Sequence, residues 1–455
     1  MKKKNCKSCQ EYKKRIETLE EELAFIKFEL EQLRGKRFKP KKKQDPPKAV
    51  AVLPQANRKK KGGLFGHSGW FRKKPKKIDR IEEVTLDKCP ECGGRHLMEC
   101  GDTEEHVQED IILPVVKAVL FKRHHYYCYS CKQVVAGKGN EELPKSYIGP
   151  KAKALAVYLR YVVKVSERDT KEIFEKVFGL KIVPSSIAGF RDQLKKQAYP
   201  IYEELVESLR KSRFIHVDET GWKVDGQNRW LWKFSTKKAS VTHIDKSRGQ
   251  KVVEKILGTK YEGVLISDFL SAYNKITTKA KQRCLIHLLR DLKNVIEYWP
   301  DDHHILRYCE RLKKILKAAI QLYKEYSIKE WDSQYYLRRE RIVDQLRDFN
   351  FPDPNKRILK RFAKRLNRHK EELFTFLYEP NIDYHNNHAE QQIRPDVIFR
   401  KITFGNRSEK GVENHNVLVS VLQTAKLNGL APLDTLRKIL LSRNNRSFFN
   451  ALVPP

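Results

Sequence analysis

The chain has 455 residues, with 93 Lys and Arg against 57 Asp and Glu, a formal charge of +36. At roughly 100–200 residues per domain this is several domains, and the positive excess points to nucleic acid or an anionic membrane face as partner. Hydrophobic residues at 40%, with 21 Phe, 19 Tyr and 6 Trp, exclude global disorder. No apolar run reaches the ~18 residues of a transmembrane helix, and the start MKKKNCKSCQEYKKR lacks the apolar stretch of a secretory signal. Nine Cys, several in C-x-x-C pairs, then read as metal ligands in a reducing compartment. The starting expectation is a cytoplasmic protein that binds nucleic acid and has no membrane partner.

Residues 1–34 hold a heptad. Tyr12, Ile16, Leu19, Leu23, Ile26, Leu30 and Leu33 alternate steps of four and three between charged flanks. That is either a leucine-zipper-like coiled-coil seam or an amphipathic helix packed on its own chain; the seam, and with it a homodimer or higher oligomer, is favoured because the basic segment that follows offers no core for the helix to dock on. Cys6 and Cys9 are either two unligated thiols or half of a metal site that two parallel copies would complete.

Residues 35–80 form a basic arm. Between 36 and 77 lie 16 Lys or Arg and a single acid, Asp45, while Pro40, Pro46, Pro47, Pro54 and Pro75 forbid a long helix. Phe65, Trp70 and Phe71 within GGLFGHSGWFRKKPKK add aromatic surface to the charge. Phosphate neutralisation is the expected role.

Residues 81–140 carry Cys89-Pro-Glu-Cys92 and Cys128-Tyr-Ser-Cys131, two knuckles 35 residues apart. Four thiolates make a closed tetrahedral site for one structural Zn²⁺. Cys100, His124 and His125 are nearby alternatives. Residues 145–200 read as three helices: one over KAKALAVYLRYVVKV, a second ending at Gly179, and a third capped by Ser185 or Ser186 with Arg191, Gln193, Lys195 and Lys196 on its exposed face. Short helix, turn and basic capped helix fit a helix-turn-helix.

From residue 213 the period changes to two. RFIHVDETGWKV, a turn at Asp225-Gly226, RWLWKFST and SVTHID predict a hairpin meander. A helix near 249–258 and the apolar strand GVLISDF follow. Residues 285–379 are helical and basic, and 387–443 are helical again with a turn near Gly405–Gly411. Asp218 lies in the first strand, Asp268 ends a later one, and Glu390 opens a helix behind two Asn suited to cap it. Glu219, next to Asp218, points to the opposite face of its strand. Three acids on different elements suit two divalent cations, though among 57 acids many triples exist.

The stretches FIHVDETGWKV, LISDFLSAYNK, CLIHLLRDL, NNHAEQQIRP and TAKLNGLAPLDTLRKIL resemble transposases of the insertion-sequence-66 family, and so does the N-terminal order of heptad helix, GHSGWFRK arm, CPECGG…CYSC element and helix-turn-helix. The resemblance implies a multidomain α+β chain whose catalytic core is a DDE, RNase H-like α/β fold. The core would span 205–295 and 381–455, with a helical insertion over 296–380 that departs from the family pattern. It implies Asp218, Asp268 and Glu390 as catalytic acids and ligands of two Mg²⁺ (or Mn²⁺). His287, in the C-x-x-H element Cys284–His287, is either a neighbour of that site or a packed core residue. Arg394, one turn after Glu390, would face the same side.

The implied activity is strand cleavage at the element ends, followed by attack of the freed 3′-hydroxyl on target DNA, with no covalent protein–DNA intermediate. Element ends, target DNA and accessory proteins of the same element are the implied partners. A DNA-binding regulator without catalysis, and an RNase H-like nuclease or junction resolvase, are the competing function classes.

Overall fold

The computed structural model describes residues 7–36, 116–122, 124–130, 132–136, 139, 141–143, 145–327, 329–349, 356–442 and 447–453, with the isolated positions 81 and 95. The basic arm beyond residue 36 lies outside the described residues. So does the zinc element as a site, because Cys89, Cys92 and Cys131 fall outside them.

The chain is a mixed α/β protein built on a five-stranded mixed sheet. It opens with helix α1 (Lys7–Lys36) and a small antiparallel ribbon of β1 (His125–Cys128) and β2 (Gln133–Ala136). Helices α2 (Pro150–Tyr158), α3 (Glu167–Lys176) and α4 (Pro184–Arg210) follow. The sheet uses β3 (Phe214–Val224), β4 (Gln227–Ser235), β5 (Ser240–Asp245), β6 (Lys260–Ser267) and β7 (Thr277–Arg283), with α5 (Gln250–Leu257) between β5 and β6. Its order is β5-β4-β3-β6-β7. The meander β3–β4–β5 is antiparallel, and β6 and β7 join parallel to β3. Then come α6 (Leu285–Tyr298), α7 (His303–Glu325), α8 (Ser333–Arg347), α9 (Arg357–His369), α10 (Asn387–Thr403), α11 (Glu409–Leu427), α12 (Pro432–Leu441) and α13 (Ser447–Leu452). Among the described residues no helix is long and apolar enough to cross a membrane.

The meander follows the expected period. The Asp225-Gly226 turn has φ +50° and +74°, as a two-residue hairpin requires. β7 has no strand signature in the sequence, because TTKAKQR carries no apolar alternation. It lies at the end of the sheet order, where lysines discourage further pairing.

Two cores flank the sheet. One joins β3–β5 to α2, α4, α5, α11 and α12. The other joins β6 to α6–α9 and includes Phe25 and Phe28 of α1.

That second core corrects the expectation that α1 has nothing to dock on. Phe28 packs against Tyr298 and Trp299 with ring centroids 5.1 and 5.0 Å apart, and the Arg357 guanidinium covers Phe25 at 4.6 Å. Glu21 pairs with Lys356 at 2.9 Å, Glu29 pairs with Arg361, and Asn294 donates to Gln32 at 3.2 Å. The docking face is therefore 21/25/28/29/32. The heptad residues Tyr12 to Leu30 lie on another side and stay between 46% and 68% exposed.

Residues 150–210 differ from the expected helix-turn-helix in two respects. α4 starts on Pro184 at its first turn behind Val183, with no side-chain cap from Ser185 or Ser186, and it runs 27 residues. Its basic face is largely engaged inside the chain. Arg191 pairs with Glu167 at 2.9 Å, Lys195 with Glu413 at 2.6 Å, and Gln193 accepts from Lys153 at 2.7 Å, which leaves Lys196 exposed. Gly179 does terminate the preceding turn, at φ +69°.

Candidate active site

Asp218 sits within β3 and Asp268 directly after β6. Those strands pair in parallel with His216 opposite Ile266, so the register, carried two residues further, sets Asp218 and Asp268 abreast on neighbouring strands. Across the other edge of β3, Asp218 is paired with Lys233 of β4, and paired residues share a face. Lys233 reaches Asp396 of α10, so the Asp218 face is the one that α10 crosses. Glu390 is in the first turn of α10, where the helix dipole favours a carboxylate.

Asn386 sets the entry of α10, though not by the expected capping. It is fully buried, and its side chain makes no cap bond. Instead Nδ2 donates to the Val217 carbonyl at 2.8 Å, and Oδ1 accepts from His216 Nδ1 at 3.2 Å. Its backbone N–H donates to Cys284 Sγ at 3.3 Å. One side chain thus fastens the Glu390 helix to the residue before Asp218, and Cys284 of the C-x-x-H element holds the same point. The sequence offered no signal that Asn386 would bridge rather than cap.

Burial and like charge dominate the surroundings of Asp218. Burial, then the neighbouring Glu219, Asp268 and Glu390, push the Asp218 carboxyl up to about 8 against a single bond from the Glu219 N–H. Asp268 Oδ1 accepts from the Leu270 N–H at 2.8 Å. Among the described residues no Lys, Arg or His pairs with either Asp.

Glu219 points the other way, to Arg248 at 2.7 Å and the Tyr273 hydroxyl at 2.7 Å. Burial and Asp268 raise its carboxyl, against the opposing pull of the Tyr273 hydroxyl and Arg248. His287 Nε2 lies 3.7 Å from Glu390 Oε1, which places it beside the third acid, and its Nδ1 is buried with no hydrogen-bond partner among the described residues. Arg394 is exposed one turn along from Glu390.

Among the described residues no three His, Cys, Asp or Glu side chains already converge tightly enough to hold one metal ion. The donor chemistry still suits hard divalent cations, since it consists of carboxylate oxygens with few competing donors and mutual repulsion that a cation would relieve.

The fold is thus a mixed α/β sheet that sets Asp218 and Asp268 abreast on adjoining strands, with Glu390 on the helix that crosses them. Residues 145–414, more than half of the chain, match the model of the transposase IS66 family, and the chain belongs to that family. It is similar to the uncharacterised protein y4qI of Sinorhizobium fredii, 24% identical over 406 residues covering 80% of this chain and 72% of the relative. It is also similar to y4jD of the same organism, uncharacterised too, 22% identical over 429 residues covering 85% and 81%.

Proposed function

We propose that the protein is the DNA transposase of an insertion sequence, binding the element ends and catalysing metal-dependent strand cleavage and strand transfer in an RNase H-like core. The observation that carries this is the placement of Asp218 and Asp268 abreast at β3 and β6, with Glu390 on the α10 helix that crosses them, in a chain of net charge +36. Among the described residues no cationic side chain pairs with Asp218 or Asp268, which suits a cation supplied from solution. Asp218, Asp268 and Glu390 would hold two Mg²⁺ (or Mn²⁺), which when bound activate the attacking oxygen and stabilise the leaving one. β3, β6 and α10 hold the three carboxylates in place. Asn386 fixes the third relative to the first. His287 orients Glu390, and Arg394 meets a phosphate of the bound strand.

Around this core the arm over 35–80 neutralises DNA phosphates. The element over 81–140 holds one structural Zn²⁺ through Cys89, Cys92, Cys128 and Cys131, and the 145–200 helices contribute to DNA contact with Lys196 and the residues around it. α1 joins copies of the chain, and accessory proteins of the same element act with it. The internal pairing of Arg191 and Lys195 shifts most of the DNA affinity onto the arm.

The test is a cleavage assay on element-end DNA with Mg²⁺. Asp218→Asn, Asp268→Asn and Glu390→Gln each remove a ligand charge and little volume, and each should abolish cleavage and strand transfer while DNA binding persists. A variant that cleaves at the wild-type rate would remove its residue from the site. Elemental analysis should find about one Zn per chain, and none in a folded, active preparation would refute the zinc assignment.

A further inference from the structure

Arg283, the last residue of β7, has no exposed surface. A guanidinium taken wholly out of water must have its N–H groups met. Nε donates to Glu372 Oε2 at 2.6 Å, and Nη2 donates to Asn274 Oδ1 at 3.0 Å. Nη1 donates to Ser267 Oγ at 3.2 Å and to the backbone carbonyl of Asp268 at 2.8 Å. One rigid plane therefore grips Asp268 itself, the residue before it and the turn after it.

Glu372 comes from the end of the helical insertion, on the 3-10 turn Lys370–Glu372 that follows α9. It is held there by His369 Nδ1 at 2.7 Å. Burial raises its carboxyl, but His369 and Arg283 outweigh that and hold it down at about 2, so it stays a carboxylate. Gln282, beside Arg283, adds two more links to the same segment. Its amide donates to the Leu373 carbonyl at 2.9 Å and accepts from the Phe376 N–H at 3.0 Å. On the far side of Asp268, Phe269 lies under the Arg365 guanidinium at 4.8 Å and edge-on to His369 at 5.6 Å.

Resting on the proposal that Asp268 is a metal ligand, we infer that Arg283 is a positioning residue for it and that the insertion, through Glu372, holds Arg283 in place. The insertion is then a structural part of the active site. Buried ion pairs often contribute little to stability against an apolar substitute. What marks this one is its acceptor, the carbonyl of the acid. Lysine keeps the charge but offers a single point donor, which cannot span Glu372 and Asp268 together.

The test uses the full chain as wild type, Asp268→Asn, Arg283→Lys and Glu372→Gln. Mn²⁺ binding is followed through the electron paramagnetic resonance signal of the free ion, beside the Mg²⁺ dependence of end-DNA cleavage. Arg283→Lys should weaken Mn²⁺ binding about 10–100-fold, with a smaller shift in the same direction for Glu372→Gln, unchanged affinity for DNA, and cleavage partly rescued at high Mg²⁺. Folded variants with a lowered melting temperature and wild-type Mn²⁺ affinity would overturn the inference. If Arg283→Lys does not fold, Glu372→Gln decides in the same way, and loss of folding in both would show a purely structural role and overturn it too. Failure of the underlying site assignment appears elsewhere, as wild-type Mn²⁺ binding by Asp268→Asn.

Discussion

Lys233 Nζ meets Asp396 Oδ2 at 2.8 Å, with 0% and 3% of the two side chains exposed. Gln423 Oε1 accepts from the same ammonium at 2.6 Å, and His415 Nε2 lies 3.1 Å from Asp396 Oδ1. Burial works against the Asp396 carboxylate, but Lys233 and His415 hold it down at about 2. The pair locks β4, directly opposite Asp218, to α10, six residues after Glu390.

Removing one partner strands the other charge in the interior. Lys233→Met should therefore destabilise the protein by about 3–5 kcal/mol. The double change Lys233→Met with Asp396→Leu should recover much of that loss. Urea unfolding of the three proteins measures it, and equal loss in single and double variants would show that packing, not the unpaired charge, sets the cost.

The sheet and its acids were largely legible, because alternation in RFIHVDETGWKV and RWLWKFST and the apolar run GVLIS are short-range signals. The ties across the site were not. Asn386 to Val217 spans 169 residues and Arg283 to Glu372 spans 89, and nothing local distinguishes a bridging Asn or Arg from a cap or a solvated charge. The α4 surface illustrates the converse. Its basic face reads as free because Glu167 and Glu413, which neutralise it, lie on other elements.

His216 should make the protein acid-sensitive. It is buried, and burial, then His388, lower it from 6.5 to about 3. The unfolded chain therefore takes up a proton between those values and the folded one does not. Its contribution is complete above pH 6.5 and is lost as pH falls toward 3. Glu372, lowered from 4.5 to about 2, adds a second loss only below about 4.5. Asp218, raised to about 8, acts in the opposite sense in both proteins, so the measurement is the difference: between pH 7 and 4.5 urea midpoints should fall further, or rise less, in the wild type than in His216→Gln. An equal change in both would assign the acid sensitivity to other groups.

The two sides of α1 should separate by mutation. Leu23→Glu with Ile26→Glu strikes the exposed seam and should lower self-association, measured by sedimentation, while hydrogen exchange of α1 in the remaining monomer stays slow. Phe25→Ala with Phe28→Ala strikes the docked face and should speed that exchange. A change in oligomer size from the second pair alone would place the self-association surface on the docking face.

Gly405 sits at φ +105° between α10 and α11, and a Cβ there would run into the Lys223 carbonyl of β3. The Asn406 N–H donates to that same carbonyl at 2.9 Å, and the Trp222 indole donates to Asn406 Oδ1 at 2.8 Å. Gly405→Ala should cost about 2–4 kcal/mol, through strain at a left-handed position and a displaced backbone. A melting temperature within error of the wild type would show that the turn can move aside.

The placement of the insertion between the second and third acids has a consequence for synthesis. Residues 269–389, 121 in all, must be made after Asp268 before Glu390 exists. At ~5–20 residues per second that interval is roughly 6–24 s. During it the nascent chain already contains the arm, the cysteine element, Asp218 and Asp268, while Glu390 is missing. On the proposed function, the DNA-contacting segments of a growing chain thus emerge well before the last of the three proposed catalytic carboxylates.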